Sequence, residues 1–236
     1  MTPNHCSFNI TNATVMATRC AKYSIGRRLR ILKIKSVLCE LKEKRFFALE
    51  RTPGRPTRIL QELLQDLGCA NLKYSFLQPH SINVGNSLSG KYGFGDFPLH
   101  TDGAHLSEPP DYILLMAPRT RVTPTLVADP SDIIDLRSEC AKQAIFSVQR
   151  RGRTFNSQFV GSKKGVSFIR YNSDTMKPKN SAAQGIWSRM QELHKYAFQL
   201  HWDKYALLVL DNRLMLHGRG QVKGTMSHMR RIEVRL

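Results

Sequence analysis

The sequence predicts a mainly β chain, a jelly roll (double-stranded β-helix) with flanking helices packed on it. Three observations carry this. From residue 70 onward, short apolar runs alternate with turns, the pattern of many short strands. One apolar stripe at helical spacing interrupts those runs and another precedes them. The 236 residues are 41% hydrophobic, which suits one large domain with a real core.

The strand-like runs are Tyr112–Ala117, Thr125–Ala128, Gly165–Tyr171, Tyr205–Asp211, Arg213–Leu216 and Arg231–Leu236. The interrupting helix is predicted over Ala182–Leu200, with Ile186, Met190, Leu193, Ala197 and Leu200 on one face. The earlier helix is predicted over about residues 58–68, after the turn-rich stretch Thr52-Pro-Gly-Arg-Pro-Thr57. Thr57 caps it, Ile59, Leu60, Leu63, Leu64 and Leu67 form its stripe, and Gly68 ends it. Residues 26–50 read as a strand leading into a helix, and residues 1–25 as loosely structured. The expected organisation is a basic extension, 1–55, packing on a jelly-roll domain, 56–236, as one structural unit.

Composition narrows the function classes. No apolar run approaches the roughly 20 residues of a membrane helix, and residues 1–20 hold no continuous apolar core of a secretory signal. Five scattered cysteines, with no C-x-x-C pair, argue against a disulfide framework or a zinc–cysteine site and fit a reducing cytoplasm. The net charge is +18, and residues 1–60 carry 13 Lys/Arg against 3 Asp/Glu. Such an arm can attract nucleic acid, acidic lipid or an anionic carrier protein. A solvated basic face is the preferred reading, because few aromatics stand near the basic cluster to stack on bases.

Chemistry concentrates in two segments. Phe97-Pro-Leu-His-Thr-Asp-Gly-Ala-His105 contains His100-x-Asp102. On a strand, residues two apart share a face, so an imidazole and a carboxylate can address one point. Alone the pair is weak, since surface turns explain most such spacings. The second segment, Leu210-Asp-Asn-Arg-Leu-Met-Leu-His-Gly-Arg219, puts His217 at the end of another apolar strand. Two neutral imidazoles and one carboxylate form a facial triad that leaves open positions on a non-haem Fe(II).

With both segments in view, residues 70–236 resemble the Fe(II)/2-oxoglutarate-dependent dioxygenases, in particular their TauD/TfdA, clavaminate synthase-like branch. The shared features are His100-x-Asp102, the D-N-x-x-x-x-H-G-R setting of Asp211, Asn212, His217, Gly218 and Arg219, and the closing Arg231-x-x-x-Arg235. The resemblance implies Fe(II) at His100, Asp102 and His217, with 2-oxoglutarate as cosubstrate and O2 as oxidant. It implies that an arginine 11–14 residues past the distal histidine grips the far carboxylate of 2-oxoglutarate. Arg231, 14 residues on, fits, and its fork suits a carboxylate. Arg230 competes, but on a strand only one of the two faces the interior. The assisting threonine falls at Thr125 by spacing, with Thr123 as fallback. Relatives often carry a glycine pair before this threonine, where this chain has Arg121-Val-Thr-Pro124.

The resemblance further implies a substrate pocket near Arg235, His105, Asn86, Ser89 and Arg170, with Asn83, Ser87 and Tyr92 in the same polar stretch. For Arg170-Tyr171, a buried tyrosine beside a surface arginine is the equal alternative. Arg219 is expected to be structural, pairing with Asp211, with contact to substrate as the second reading. His5, His80, His194, His201 and His228 have no partner pattern. The implied reaction is hydroxylation of a small amino-acid-like or carboxylate metabolite, free or carrier-tethered, with release of succinate and CO2. Asp102 favours hydroxylation over halogenation, because halogenating relatives lack this carboxylate. Two rival readings are a nucleic-acid demethylase of the AlkB type, suggested by charge, and a non-catalytic jelly-roll module binding a metal or anion.

Overall fold

In a computed structural model, the structure describes residues 34–51, 56–67, 71–77, 91–117, 123–150, 152–222 and 228–236. The predicted pocket residues Asn83, Asn86, Ser87 and Ser89 lie outside these segments, as do residues 1–33.

Two antiparallel sheets face each other. The larger has strand order β1 (Phe46–Glu50), β12 (Tyr205–Asp211), β4 (Tyr112–Met116), β14 (Met229–Arg235), β2 (Asn71–Leu77). The smaller runs β11 (Phe198–Leu200), β5 (Thr125–Ala128), β13 (Leu216–Arg219), β3 (Phe97–His100). This is the jelly roll expected from the sequence. Behind the smaller sheet lie the three-stranded sheet β10 (Met176–Pro178), β6 (Ile145–Arg150), β7 (Arg153–Gln158) and the hairpin β8 (Val160–Lys163)–β9 (Val166–Ile169).

Strand alternation builds three apolar layers. On β12, Leu208 and Leu210 point between the two facing sheets, where they meet Ile113, Leu115, Val127, Trp202 and Met229. Leu207 and Val209 point the other way, onto α1 (Ile34–Lys44) and α2 (Pro56–Asp66) through Val37, Leu41, Leu60 and Leu63. Both faces of β12 are therefore covered, which explains its unbroken apolar run. On the smaller sheet, Leu99, Ala128 and Leu216 point outward, against Phe146, Phe159, Ile186 and Met190. The last two come from α4 (Ser181–Glu192). A short helix, α3 (Glu139–Gln143), joins this layer through Ala141.

Several boundaries differ from expectation. Residues 34–50 form a helix and then a strand, the reverse of the predicted order. That strand, β1, pairs with β12 along its whole length, so part of the expected extension is a strand of the main sheet. The helix expected over 182–200 stops at Glu192 and is followed by a 3-10 turn, Leu193–Tyr196, and by β11. Phe198–Leu200 pair with Val127–Thr125, so sheet pairing overrides the helical apolar period there. The segment Arg213–Leu216 is mostly a turn: Asp211 accepts from the Arg213 backbone and side chain, and Leu216 begins β13. The second helix begins at Pro56, which places Thr57 inside it. No described helix is long and apolar enough to cross a membrane.

Gly103 has a φ of +71°, and a Cβ there would lie 2.8 Å from Pro110 Cδ. Gly103→Ala should therefore cost about 1–3 kcal/mol in a urea unfolding titration. Gly185→Ala, in α4 with open space around its Cβ position, should be neutral or stabilise by up to about 1 kcal/mol.

Candidate metal centre

β3 and β13 lie side by side in the smaller sheet, with His100 opposite His217. Leu99 and Leu216 pack outward, so alternation turns both imidazoles inward, between the two sheets. Their ring centroids are 4.5 Å apart. Gly218 follows at the point of closest approach, where a Cβ would lie 2.6 Å from Phe97 O. A small residue beside His217 thus lets β3 and β13 come close enough to bring the rings together.

Asp102 reaches the same point by a different route from the one expected. β3 ends at His100, and Asp102 stands in the turn beyond it, so strand alternation does not place it. Asn212 does. Its Oδ1 accepts from the Asp102 backbone N–H at 2.8 Å, and its Nδ2 donates to Asp102 O at 3.0 Å and Pro110 O at 2.8 Å. The Asp-Asn pair of the second motif therefore has two jobs. Asn212 holds the turn carrying Asp102. Asp211 accepts a two-nitrogen fork from Arg213, whose other contact is the Tyr112 hydroxyl at 3.0 Å.

Asp102 Oδ1 is 3.6 Å from His100 Nε2, and Oδ2 is 3.7 Å from His217 Nε2. The ligand atoms of the three residues lie within 4.8 Å of one another, and all three residues are buried. His100 Nδ1 faces Pro98 O at 3.0 Å, which directs Nε2 inward. His217 Nδ1 is buried and has no hydrogen-bond partner among the described residues. Burial pushes the His217 pKa down to about 3, with His100 and Arg231 adding to the effect and Asp102 opposing it. Burial alone would raise the Asp102 pKa, but His100, Arg231 and His217 more than reverse this and hold it well below the usual carboxylate range. A neutral imidazole at His217 and an ionised carboxylate at Asp102 are states that suit metal binding. The donor set, two nitrogens and one carboxylate on one side of a point, fits a facially bound divalent iron.

Arg231, on β14 of the opposite sheet, reaches across the interior. Its Nη1 donates to Asp102 Oδ1 at 3.0 Å and Oδ2 at 3.2 Å. Arg230 points to the other face, over the Phe76 ring. Thr125 lies on the interior face of β5, and its hydroxyl accepts from Trp202 Nε1 at 3.0 Å. Thr123 is buried just before that strand.

The fold is similar to that of several solved non-haem iron oxygenases. An asparagine oxygenase bound to Fe(II), 3-hydroxyasparagine and succinate matches with a TM-score of 0.63 at 13% identity, over 93% of this chain and 83% of that one. The non-haem iron oxygenase OrfP, bound to iron and 2-oxoglutarate, matches with a TM-score of 0.61 at 15% identity, over 86% of this chain and 79% of that one. PvcB from Pseudomonas aeruginosa gives 0.58 at 14% identity, over 86% and 80%. At these identities the likeness is one of fold. No protein-family profile matches the chain, and no curated protein matches it by sequence.

Other expected site residues fall differently. Arg235 lines a cavity of about 560 Å³ with Ser107, Glu108, Lys163, Lys164 and Phe168. His105 is half-buried in the loop between Asp102 and β4. Arg170 is not a surface arginine. It is buried, and its terminal nitrogens donate to Leu106 O at 2.7 Å and Ser107 O at 3.2 Å. Those bonds tie it to the loop after Asp102. Tyr171 is buried too, its hydroxyl accepting from Gln191 Nε2 at 2.7 Å. Arg219 does not pair with Asp211, which Arg213 occupies. It donates to Gly93 O at 2.7 Å and Gly95 O at 2.9 Å, holding the segment that leads into β3. Tyr92, in that segment, donates to Asp174 Oδ1 at 2.8 Å. Glu233, Ser75 and Trp202 were not singled out from sequence. Glu233 alone left a signal, because it falls between Arg231 and Arg235 on the same strand face.

Asn212→Ala removes the clamp on Asp102 and leaves all three ligands in place. Metal affinity, followed by titration with Co(II), should fall on the order of 10–100-fold, with His100 and His217 unaltered.

Proposed function

We propose that the protein is an Fe(II)- and 2-oxoglutarate-dependent oxygenase that hydroxylates a small amino-acid-like substrate. The observation that carries this is the convergence of His100, Asp102 and His217, from two neighbouring strands and a clamped turn, on one buried point. Solved proteins of the same fold are oxygenases crystallised with iron and 2-oxoglutarate or succinate, and with hydroxylated asparagine or arginine.

Bound iron supplies O2 activation coupled to conversion of 2-oxoglutarate into succinate and CO2. The chain supplies the rest. His100, Asp102 and His217 would hold the metal through two imidazole nitrogens and one carboxylate. Arg231 provides the guanidinium for the far carboxylate of 2-oxoglutarate. Thr125 flanks the same interior space, with Trp202 fixing its hydroxyl. The two-sheet interior, lined by Ile113, Leu115, Val127 and Met229, excludes water from the reacting centre. Arg235 and His105 face the substrate side in this reading. The cavity at Arg235 mixes Lys163 and Lys164 with Glu108, which suits an anionic or zwitterionic compound, free or tethered to a carrier.

Purified protein given Fe(II), 2-oxoglutarate and O2 should release succinate, and a panel of amino acids and their derivatives should stimulate that release. His217→Ala and Asp102→Ala should each reduce it at least about 100-fold, as removal of a ligand to the reacting metal does. Arg231→Gln should raise the KM for 2-oxoglutarate more than it lowers kcat. Iron-dependent succinate release that survives His217→Ala would overturn the assignment.

A further inference from the structure

In this structure the proposed cosubstrate clamp is engaged with the proposed metal ligand. Arg231 Nη1 is nearly equidistant from the two Asp102 oxygens, at 3.0 and 3.2 Å. One nitrogen thus addresses the same carboxylate that His100 and His217 face at 3.6 and 3.7 Å. The remaining donors of Arg231 are engaged as well. Nε donates to Ser75 Oγ at 3.1 Å, and Nη2 to Glu233 Oε1 at 3.1 Å. Glu233 is buried and also accepts from Arg235 Nη1 at 3.3 Å and from Lys73 Nζ at 3.4 Å.

Opposite charges therefore alternate from Asp102 to Arg231 to Glu233, and Glu233 carries Arg235 and the more exposed Lys73 beyond it. In this row Arg231 is the guanidinium counter-charge on Asp102. A divalent cation bound to Asp102 would meet a guanidinium already on that carboxylate. In a buried site their repulsion is only weakly screened. Either the cation binds weakly or the guanidinium moves. An incoming dicarboxylate offers Arg231 a replacement anion, and Glu233 remains beside Nη2 as a fixed anchor while Nη1 exchanges one carboxylate for another.

We infer that Arg231 is a displaceable latch on the metal site. With neither ligand present it stands in for the metal as the counter-charge of Asp102. A dicarboxylate cosubstrate draws the guanidinium off Asp102 and so raises metal affinity, and by reciprocity metal raises affinity for the dicarboxylate. This coupling adds to any direct bond between the two ligands. It rests on the proposed roles of Asp102 and Arg231.

Glutarate separates the two contributions. It has the five-carbon dicarboxylate frame of 2-oxoglutarate and lacks the 2-oxo group needed for chelation. Co(II) binding to the full chain, followed by visible absorption with and without glutarate, is the measurement. In the wild type, glutarate should tighten Co(II) binding by a factor on the order of 5–150, the usual range of coupling between two sites. Arg231→Gln should bind Co(II) more tightly than the wild type with no glutarate present, and glutarate should then add nothing. Arg231→Lys keeps the charge but not the fork. It should fall between the two, and it serves as the comparison if the glutamine variant does not fold. Equal Co(II) affinity in wild type and variant, or a glutarate effect of the same size in both, overturns the latch and leaves the metal centre standing. Absence of Co(II) binding in every form, wild type included, overturns the metal-centre reading and the latch with it.

Discussion

Asp102 is an ionised carboxylate buried between two sheets, and the rest of the molecule is arranged around that fact. Taking a lone carboxylate out of water costs several kcal/mol, so it persists only where cations and donors replace the lost hydration. Here the replacement comes from every side. Asn212 holds its backbone, two imidazoles face its oxygens, and Arg231 reaches it from the opposite sheet. These partners stand on β3, β13, β14 and the turn after β12. No local segment could bring them together; closing the two sheets does.

The framework keeps this polar point from spoiling the core by strict alternation. On β3 and β13 the residues just before the histidines, Leu99 and Leu216, point outward into the layer shared with α4. On β14, Ile232 and Val234 point outward to α1 and α2, while Arg231, Glu233 and Arg235 share the inward face with Met229. A one-residue slip of β14 would turn Arg230 inward and press Arg231 and Glu233 onto the helix layer, so hydrophobic register and site geometry enforce one another. The long loop between Asp102 and β4 is held in turn by Arg170 and by the tight turn at Gly103. In this way buried arginines act as struts for loops near the metal point, as Arg219 also does for the segment before β3.

Much of this was legible in the sequence. Short apolar runs and turns gave away the two-sheet architecture, and the three candidate ligands that the fold brings together stood out once His100-x-Asp102 and the Asp211–Arg219 segment were taken together. Alternation allowed only one of Arg230 and Arg231 to face inward, and the spacing from His217 in the resemblance, together with Arg235, pointed to Arg231. Other features were not readable, for physical reasons. Asp102 is placed by long-range bonds from Asn212 and not by strand period, so the right residue was reached by an argument that does not apply to it. Residues 193–200 keep a helical apolar spacing, yet Phe198–Leu200 lower their energy further as an added strand beside β5. The partners of Arg170 and Arg219 are backbone carbonyls, which have no signature in sequence, whereas side-chain pairing with Asp211 was a natural but mistaken guess. Glu233 could have been noticed, since an acid two residues from each of two arginines on a strand must share their face.

One metal ion among His100, Asp102 and His217, with a dicarboxylate reaching Arg231, can be sought in crystals soaked anaerobically with Fe(II) and 2-oxoglutarate. Anomalous iron density is expected within bonding distance of His100 Nε2, His217 Nε2 and an Asp102 oxygen, with the far carboxylate of 2-oxoglutarate on the Arg231 guanidinium. Iron bound elsewhere, or 2-oxoglutarate held away from Arg231, would contradict that arrangement.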